Sequence, residues 1–228
     1  MRPNDPNLAS VELVAAALGP LVDELVLVGG CAAGLLLTDD ARPANRETKD
    51  VDLVAEVASV GSYYGLASKI KERGFTESQD HICRWVKGDL IVDVLPTADV
   101  LGSSTNRWYV QVVATPSSIQ LSTGTKIRIV SARLFVATKL DAFHGRGEGD
   151  YSHHDIEDIV NLVDGRAELV EEILAEEDEV KAFIQEEFDD LLATPAFTEK
   201  LVWHLNPDQA SQARLPLVLE RMRKIAGL

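Results

Sequence analysis

Apolar residues recur along the chain with two different periods. Residues 8–18 (LASVELVAAAL) carry them at helical spacing, and Gly19-Pro20 ends the run. Leu25–Val28 predicts a short buried strand leading into Gly29 and Gly30, and Cys31–Leu37 predicts a helix. Residues 38–49 are polar, contain Pro43 and predict a loop. Asp50–Val57 alternates at period two, as a strand does, and Ser62–Arg73 predicts a helix stopped by Gly74. His81–Lys87 and Leu90–Leu95 flank Gly88-Asp89, a hairpin signal. Residues 107–114 fit helix and strand equally. Ile127–Val130 predicts a strand, and Ser131–Arg146 a helix with Ser131 as its cap. Three glycines within 145–150 predict a flexible loop. From Ser152 onward the pattern is helical, with breaks at Asp164-Gly165 and Thr194-Pro195. Asp208–Gly227 predicts a last helix interrupted at Pro216. The expected class is α/β (α+β): a mixed sheet flanked by helices over residues 1–130, then a helical C-terminal region over 131–228.

Charge changes this picture in one place. The chain has 228 residues, with 22 basic against 37 acidic side chains, a net charge of −15. Such a surface repels phosphate backbones at long range, which argues against a general nucleic-acid coat protein. Eleven acids and a single base, Lys181, fall between Glu168 and Asp190. Val170, Ile173, Leu174, Val180, Phe183, Ile184, Phe188 and Leu191 recur among them at helical steps, so the run is an amphipathic helical region. Its acids form either a solvated face or a surface for a basic partner. No apolar run approaches the roughly 18–20 residues that cross a bilayer, and the first ten residues hold no apolar signal core. The expectation is a cytoplasmic protein with no membrane partner. Cys31 and Cys83 are too few for a disulfide framework.

The sharpest chemical feature is Asp50-Val51-Asp52. On a strand these two carboxylates share one face, roughly 6.6 Å apart along the chain. They repel unless a positive group lies near them, and oxygen donors beside a phosphate suit Mg²⁺ or Mn²⁺. The alternative is a solvent-exposed strand end. Asp93 is a lone acid within the apolar run Leu90–Leu95, and burying it unpaired is costly. If its strand lies beside that of Asp52, the three acids form a metal cluster, with Asp93 also placed to take a proton. Gly29, Gly30 and Gly34 between a strand and a helix suit either a phosphate contact or close helix packing. Lys139, on a stripe with Phe135, Ala142 and Arg146, suits a polyphosphate pocket or snorkels to water. Asp155 and Asp158 lie one helical turn apart, able to orient Lys139 or Arg146 or to complement a helix N-terminus. His153 and His154 would point about 100° apart on a helix, which disfavours one shared ion. Arg46 and Arg84 are candidate phosphate or acceptor contacts. Arg42, Arg46, Lys49, Lys126, Arg128 and Arg133 could form a basic patch.

These patches together resemble a known family. Val28-Gly29-Gly30, a helix, and then Arg46-Glu47-Thr48-Lys49-Asp50-Val51-Asp52-Leu53 resemble the opening of the polymerase-β-like nucleotidyltransferase fold. The Arg-x-Thr-x-Asp-x-Asp-Leu form is similar to the AbiEii/AbiGii toxin family. So are Lys139-Leu140-Asp141-Ala142 followed by Arg146, and Asp155-Ile156-Glu157-Asp158. The resemblance spans residues 25–165. It implies a nucleotidyltransferase-fold sheet and transfer of NMP from an NTP, with pyrophosphate leaving. It implies Asp50 and Asp52 as metal ligands, Gly29 and Gly30 around the triphosphate, Lys139 on phosphates, and Asp155 or Asp158 in the distal acidic motif. Some relatives modify the acceptor end of tRNA and serve as toxins or phage-defence effectors, with an antitoxin encoded nearby. The chain departs from the pattern at Cys31, where relatives carry Ser or Thr whose hydroxyl touches phosphate.

Overall fold

A computed structural model describes residues 5–39, 46–100, 102, 105–147 and 149–228. Half of the predicted 38–49 loop, Arg42 included, and Glu148 of the glycine loop fall outside the described residues. The chain divides into two compact units. The first is formed by Met1–Leu35 and Ala44–Ser131, the second by Leu36–Pro43 and Ala132–Leu228.

The first unit opens with α1 (Leu8–Leu18), a 3-10 segment (Gly19–Glu24), β1 (Leu25–Leu27) and α2 (Gly29–Leu36). It continues through β2 (Val51–Ala55), α3 (Val60–Glu72), β3 (Thr76–Glu77), β4 (Arg84–Lys87) and β5 (Leu90–Pro96). Residues 107–114 resolve as a helix, α4 (Tyr109–Ala114), before β6 (Ser117–Gln120) and β7 (Lys126–Ile129). The seven strands form one mixed sheet in the order β3-β4-β5-β2-β1-β7-β6. β1 pairs antiparallel to β2 and parallel to β7, while β2 and β5 run parallel. The sheet is therefore of the mixed, helix-flanked α/β class expected from the patterning. Gly88, at φ +59°, makes the turn between β4 and β5.

Alternation decides which face of β2 is dry. Val51 and Leu53 pack with Val11, Val14, Ala15 and Leu18 of α1, joined by Leu25, Leu27 and Ile127. Their β5 neighbours Val92 and Val94 are buried too. Asp52 and Asp93 alternate out of step with these residues, so the same period that builds the core turns both acids to the other face.

The second unit is helical: α5 (Ala132–Arg146), α6 (His154–Gly165), α7 (Leu169–Leu174), α8 (Glu179–Ala193), α9 (Pro195–Lys200), a 3-10 turn (Leu201–His204), α10 (Gln209–Gln212) and α11 (Leu215–Ala226). Pro216 does not interrupt a long helix. It sits in the first turn of α11, where its missing N–H costs nothing. Val180, Phe183, Ile184, Phe188 and Leu191 of α8 are buried while the acids around them are mostly exposed. Several of those acids have partners inside the unit: Arg133 pairs with Glu176 and Asp178, Lys181 with Glu177, and His144 with Glu187. No helix among the described residues is long and apolar enough to cross a membrane.

Candidate active site

Strand register builds the first cluster. Asp52 on β2 lies opposite Asp93 on the parallel β5, and Asp93 lies opposite Arg84 on the antiparallel β4. Opposed residues on neighbouring strands point to the same face. Asp52, Asp93 and Arg84 thus form one row across three strands. Asp50, just ahead of β2, joins it through Arg84, whose Nη2 donates to Asp50 Oδ2 at 2.6 Å. The same guanidinium grips Asp93 with a two-pronged fork: Nε donates to Oδ1 and Nη2 to Oδ2, each at 2.8 Å. Hydrogen bonding to Asp93 raises the Arg84 pKa above its ordinary value. Burial opposes this, and the charges of Asp93, Asp50 and Asp52 reinforce it. The preceding residue, Cys83, holds a left-handed φ of +66°, a conformation that costs a non-glycine residue roughly 1–2 kcal/mol.

The glycine turn packs against the acids. Gly29 has φ +65°, and a Cβ there would fall 1.9 Å from Asp52 Oδ2, so any side chain is excluded on both counts. The Asp52 carboxylate accordingly lies against the first turn of α2, whose N–H groups favour negative charge. At Gly30 a Cβ would meet Thr48 Cγ2 at 2.5 Å and Arg46 Nη2 at 3.4 Å. The room at both glycines is thus filled by side chains of the acidic motif, and Arg46 is brought beside Gly30.

The segment leading to Asp50 is pinned by two residues, Asn7 and Cys31. The Thr48 N–H donates to Asn7 Oδ1 at 2.8 Å, and Asn7 Nδ2 donates to the Arg46 carbonyl at 3.0 Å. Cys31 Sγ lies 3.1 Å from Thr48 Oγ1, and its thiol donates to the Asp50 carbonyl at 3.4 Å. Burial pushes the Cys31 thiol up to about 12. The Thr48 hydrogen bond opposes that rise, and the charges of Asp52, Asp5 and Asp50 add to it. Cys31 is therefore a neutral, inward-facing group that positions the backbone of Asp50. Asn7, the contacts Thr48 makes with it and with Cys31, and the bridging role of Arg84 escaped sequence reasoning. Thr48 left a signal through the quoted motif, and Arg84 as a cation within the predicted strand His81–Lys87; Asn7 left none.

A second cluster lies within the helical unit. Lys139 Nζ donates to Asp155 Oδ1 at 3.0 Å and pairs with Asp158 Oδ2 at 2.7 Å, and all three side chains are buried. Lys139 does not snorkel. Arg146 forks onto Asp155 at 2.8 and 2.7 Å. Burial pushes the Asp155 carboxyl up, but the hydrogen bond from Arg146 and the charges of Lys139 and Arg146 outweigh it and hold the group at about 2. His153, at φ −62° and ψ 144°, lies before the helix and caps it, accepting the Asp155 N–H on Nδ1 at 3.2 Å. The helical 100° separation therefore does not apply to His153 and His154, whose ring centroids lie 4.0 Å apart. With Asp155 they are the group of ligand atoms found within 4.8 Å of one another among the described residues. Two cations already fill that carboxylate, so the surroundings oppose a metal ion.

Asp50, Asp52 and Asp93 are not gathered within that 4.8 Å span; a guanidinium lies between Asp50 and Asp93 instead. Their donor set is nonetheless three oxygen ligands on one face around a place that already accommodates positive charge. It fits a hard divalent ion such as Mg²⁺ or Mn²⁺. A separate pocket of about 430 Å³ opens beyond the other end of β2, past Ala55 and Glu56. Its cations are committed internally: Lys69 pairs with Glu24, and Arg128 donates to the carbonyls of Asp23 and Val113. Arg128 and Arg133 are thus held within the fold rather than presented as parts of the expected basic patch.

No protein-family model matches the chain, and no curated protein matches it. Distantly similar folds occur among solved structures. An antigenic nucleotidyltransferase-like protein from Paracoccidioides brasiliensis is 19% identical, with a TM-score of 0.49, covering 84% of this chain and 93% of its own. The antibiotic-resistance factor ANT(2'')-Ia in solution is 17% identical over 82% of this chain and 95% of its own, with a TM-score of 0.44. Crystalline ANT(2'')-Ia in complex with adenylyl-2''-tobramycin is 16% identical over 68% and 87%, with a TM-score of 0.41. These likenesses are too distant to carry a functional argument, which rests instead on the acids and their partners.

Proposed function

We propose that the chain is a metal-dependent nucleotidyltransferase that moves an NMP from an NTP to an acceptor hydroxyl and releases pyrophosphate. The observation that carries this reading is the row Asp52–Asp93–Arg84, with Asp50 joined to it, on the polar face of one sheet. In this reading Asp50, Asp52 and Asp93 hold Mg²⁺ or Mn²⁺. When bound, the ion supplies neutralisation of phosphate charge. Backbone N–H groups at Gly29 and Gly30, with Arg46 beside them, face the triphosphate. An Asp93 carboxylate oxygen accepts the proton of the acceptor hydroxyl as the hydroxyl oxygen bonds to the α-phosphorus and the bond to the pyrophosphate oxygen breaks. The nucleotide role that the resemblance gives Lys139, Asp155 and Asp158 belongs to the same proposal. So do an RNA acceptor such as a tRNA end or a protein acceptor, an AbiEii-type toxin or phage-defence role with an antitoxin partner, and a cytoplasmic setting.

Thermal melting tests the reading. Each NTP is added with Mg²⁺, and the donor nucleotide raises Tm by about 5–10 °C at a hundredfold excess over its Kd. The paired substitution Asp50→Asn, Asp52→Asn removes that shift. No shift with any of the four NTPs contradicts the reading. A second reading, a catalytically silent binding module on the same fold, is favoured by Arg84 neutralising two of the acids and by Cys31 turning inward. It predicts that this double variant keeps the full biological effect.

A further inference from the structure

Arg84 occupies the place where the proposed reaction needs a different cation. Its guanidinium touches Asp50 at 2.6 Å and both oxygens of Asp93 at 2.8 Å, and it is fed there from the neighbouring strand by register. Three acids on one face would repel one another if no positive group lay among them. A buried or half-buried carboxylate left without a partner is costly, so the unliganded fold needs this arginine. The same contacts have a second consequence. While Arg84 holds both oxygens of Asp93, that carboxylate can neither take a proton nor ligate an ion.

We propose that Arg84 is a resident counter-ion of the acidic cluster, which the divalent cation displaces and which then pairs with a phosphate of the incoming nucleotide. This rests on the nucleotidyltransferase reading and deepens it. A guanidinium matches a phosphate as well as a carboxylate, with the same two-pronged geometry, so a triphosphate arriving with the ion gives Arg84 a new partner. Metal arriving alone gives it none. The acids therefore take up a divalent ion poorly by itself and well together with a nucleoside triphosphate. Arg84 thus keeps Asp50 and Asp93 together before binding and contacts a nucleotide phosphate afterwards.

The test measures Mn²⁺ uptake by the full chain, from the electron paramagnetic resonance signal of the free ion, with and without a non-hydrolysable NTP. In the unsubstituted protein the nucleotide tightens Mn²⁺ binding by about tenfold or more. Arg84→Gln removes the competitor, so Mn²⁺ alone binds at least about tenfold tighter than in the parent, and the nucleotide adds little further. A purely structural arginine would not give a gain in metal affinity on removal. Where Arg84→Gln does not fold, Arg84→Lys serves: it keeps the charge but not the fork, and shifts metal-only affinity in the same direction by a smaller factor. Equal Mn²⁺ affinity in parent and variant, with binding lost in Asp52→Asn, overturns the counter-ion proposal and leaves the metal site standing. No Mn²⁺ uptake by parent or variant, with or without nucleotide, overturns the nucleotidyltransferase reading and this proposal with it.

Discussion

Cys31 and Cys83 are the chain's two thiols, both buried and unbridged. Burial pushes them up to about 12 and about 11, and the charge of Asp93 adds to the rise at Cys83. A thiol that stays protonated and shielded does not attack a disulfide reagent. In native protein at pH 8 a chromogenic disulfide should titrate essentially no thiol, and in denaturant it should titrate both; rapid native labelling of Cys31 would contradict its place beneath Asp50. At this scale the sequence was partly legible. Asp50, Asp52 and Asp93 could be picked out because period-two alternation places acids on a face, and a charge in an apolar strand asks for a partner. What could not be read was the identity of that partner. Arg84 meets Asp93 through a strand register that depends on the turn at Gly88 and Asp89. Asn7 reaches Thr48 across 41 positions of sequence, a separation no local pattern reports.

The elements that hold these groups differ in how openly they announced themselves. Long periodic runs such as α1, α3 and α5 emerged where the patterning placed them. β3 and β6 did not: Thr76–Glu77 has two residues, and Ser117–Gln120 is mostly polar and lies at a sheet edge, so neither carries an alternating signal. The last helix starts at Leu215, with Pro216 inside its first turn, because a proline fixes φ favourably there. Within the second unit the joint between α5 and α6 is ionic, formed by Lys139, Arg146, Asp155 and Asp158. Asp155 is held at about 2 in the folded chain, below its ordinary 3.8. A depressed carboxyl contributes stability that is complete above its ordinary pKa and is lost as pH falls from about 4 through about 2. That linkage is worth about 2 kcal/mol. Asp155→Asn leaves Lys139 with Asp158 alone and the half-exposed Arg146 facing a neutral amide, and should cost about 2–3 kcal/mol at pH 7. Urea unfolding followed from pH 7 to pH 2 should show the parent losing stability below pH 4 and the variant starting lower with a flatter profile. A variant as stable as the parent at pH 7 would remove the ionic joint from the account.

Over the whole molecule, charge and chemistry are divided between the two units. The sheet unit carries Asp50, Asp52, Asp93 and Arg84. The helical unit carries the acidic run of α7 and α8, part of it answered by Arg133, Lys181 and His144. The net charge of −15 sets a condition on any RNA acceptor, because long-range repulsion must be overcome by local contacts, and binding should weaken steeply as salt rises. The central claim is that the sheet acids serve phosphoryl transfer to an acceptor. It is tested most directly by incubating the protein with Mg²⁺, cellular RNA and protein, and each NTP labelled at the α-phosphorus. Label should join covalently to one class of acceptor with an equal amount of pyrophosphate released, and neither should occur in the Asp50→Asn, Asp52→Asn variant. Release of inorganic phosphate with no labelled acceptor, or transfer that survives in that variant, would contradict it.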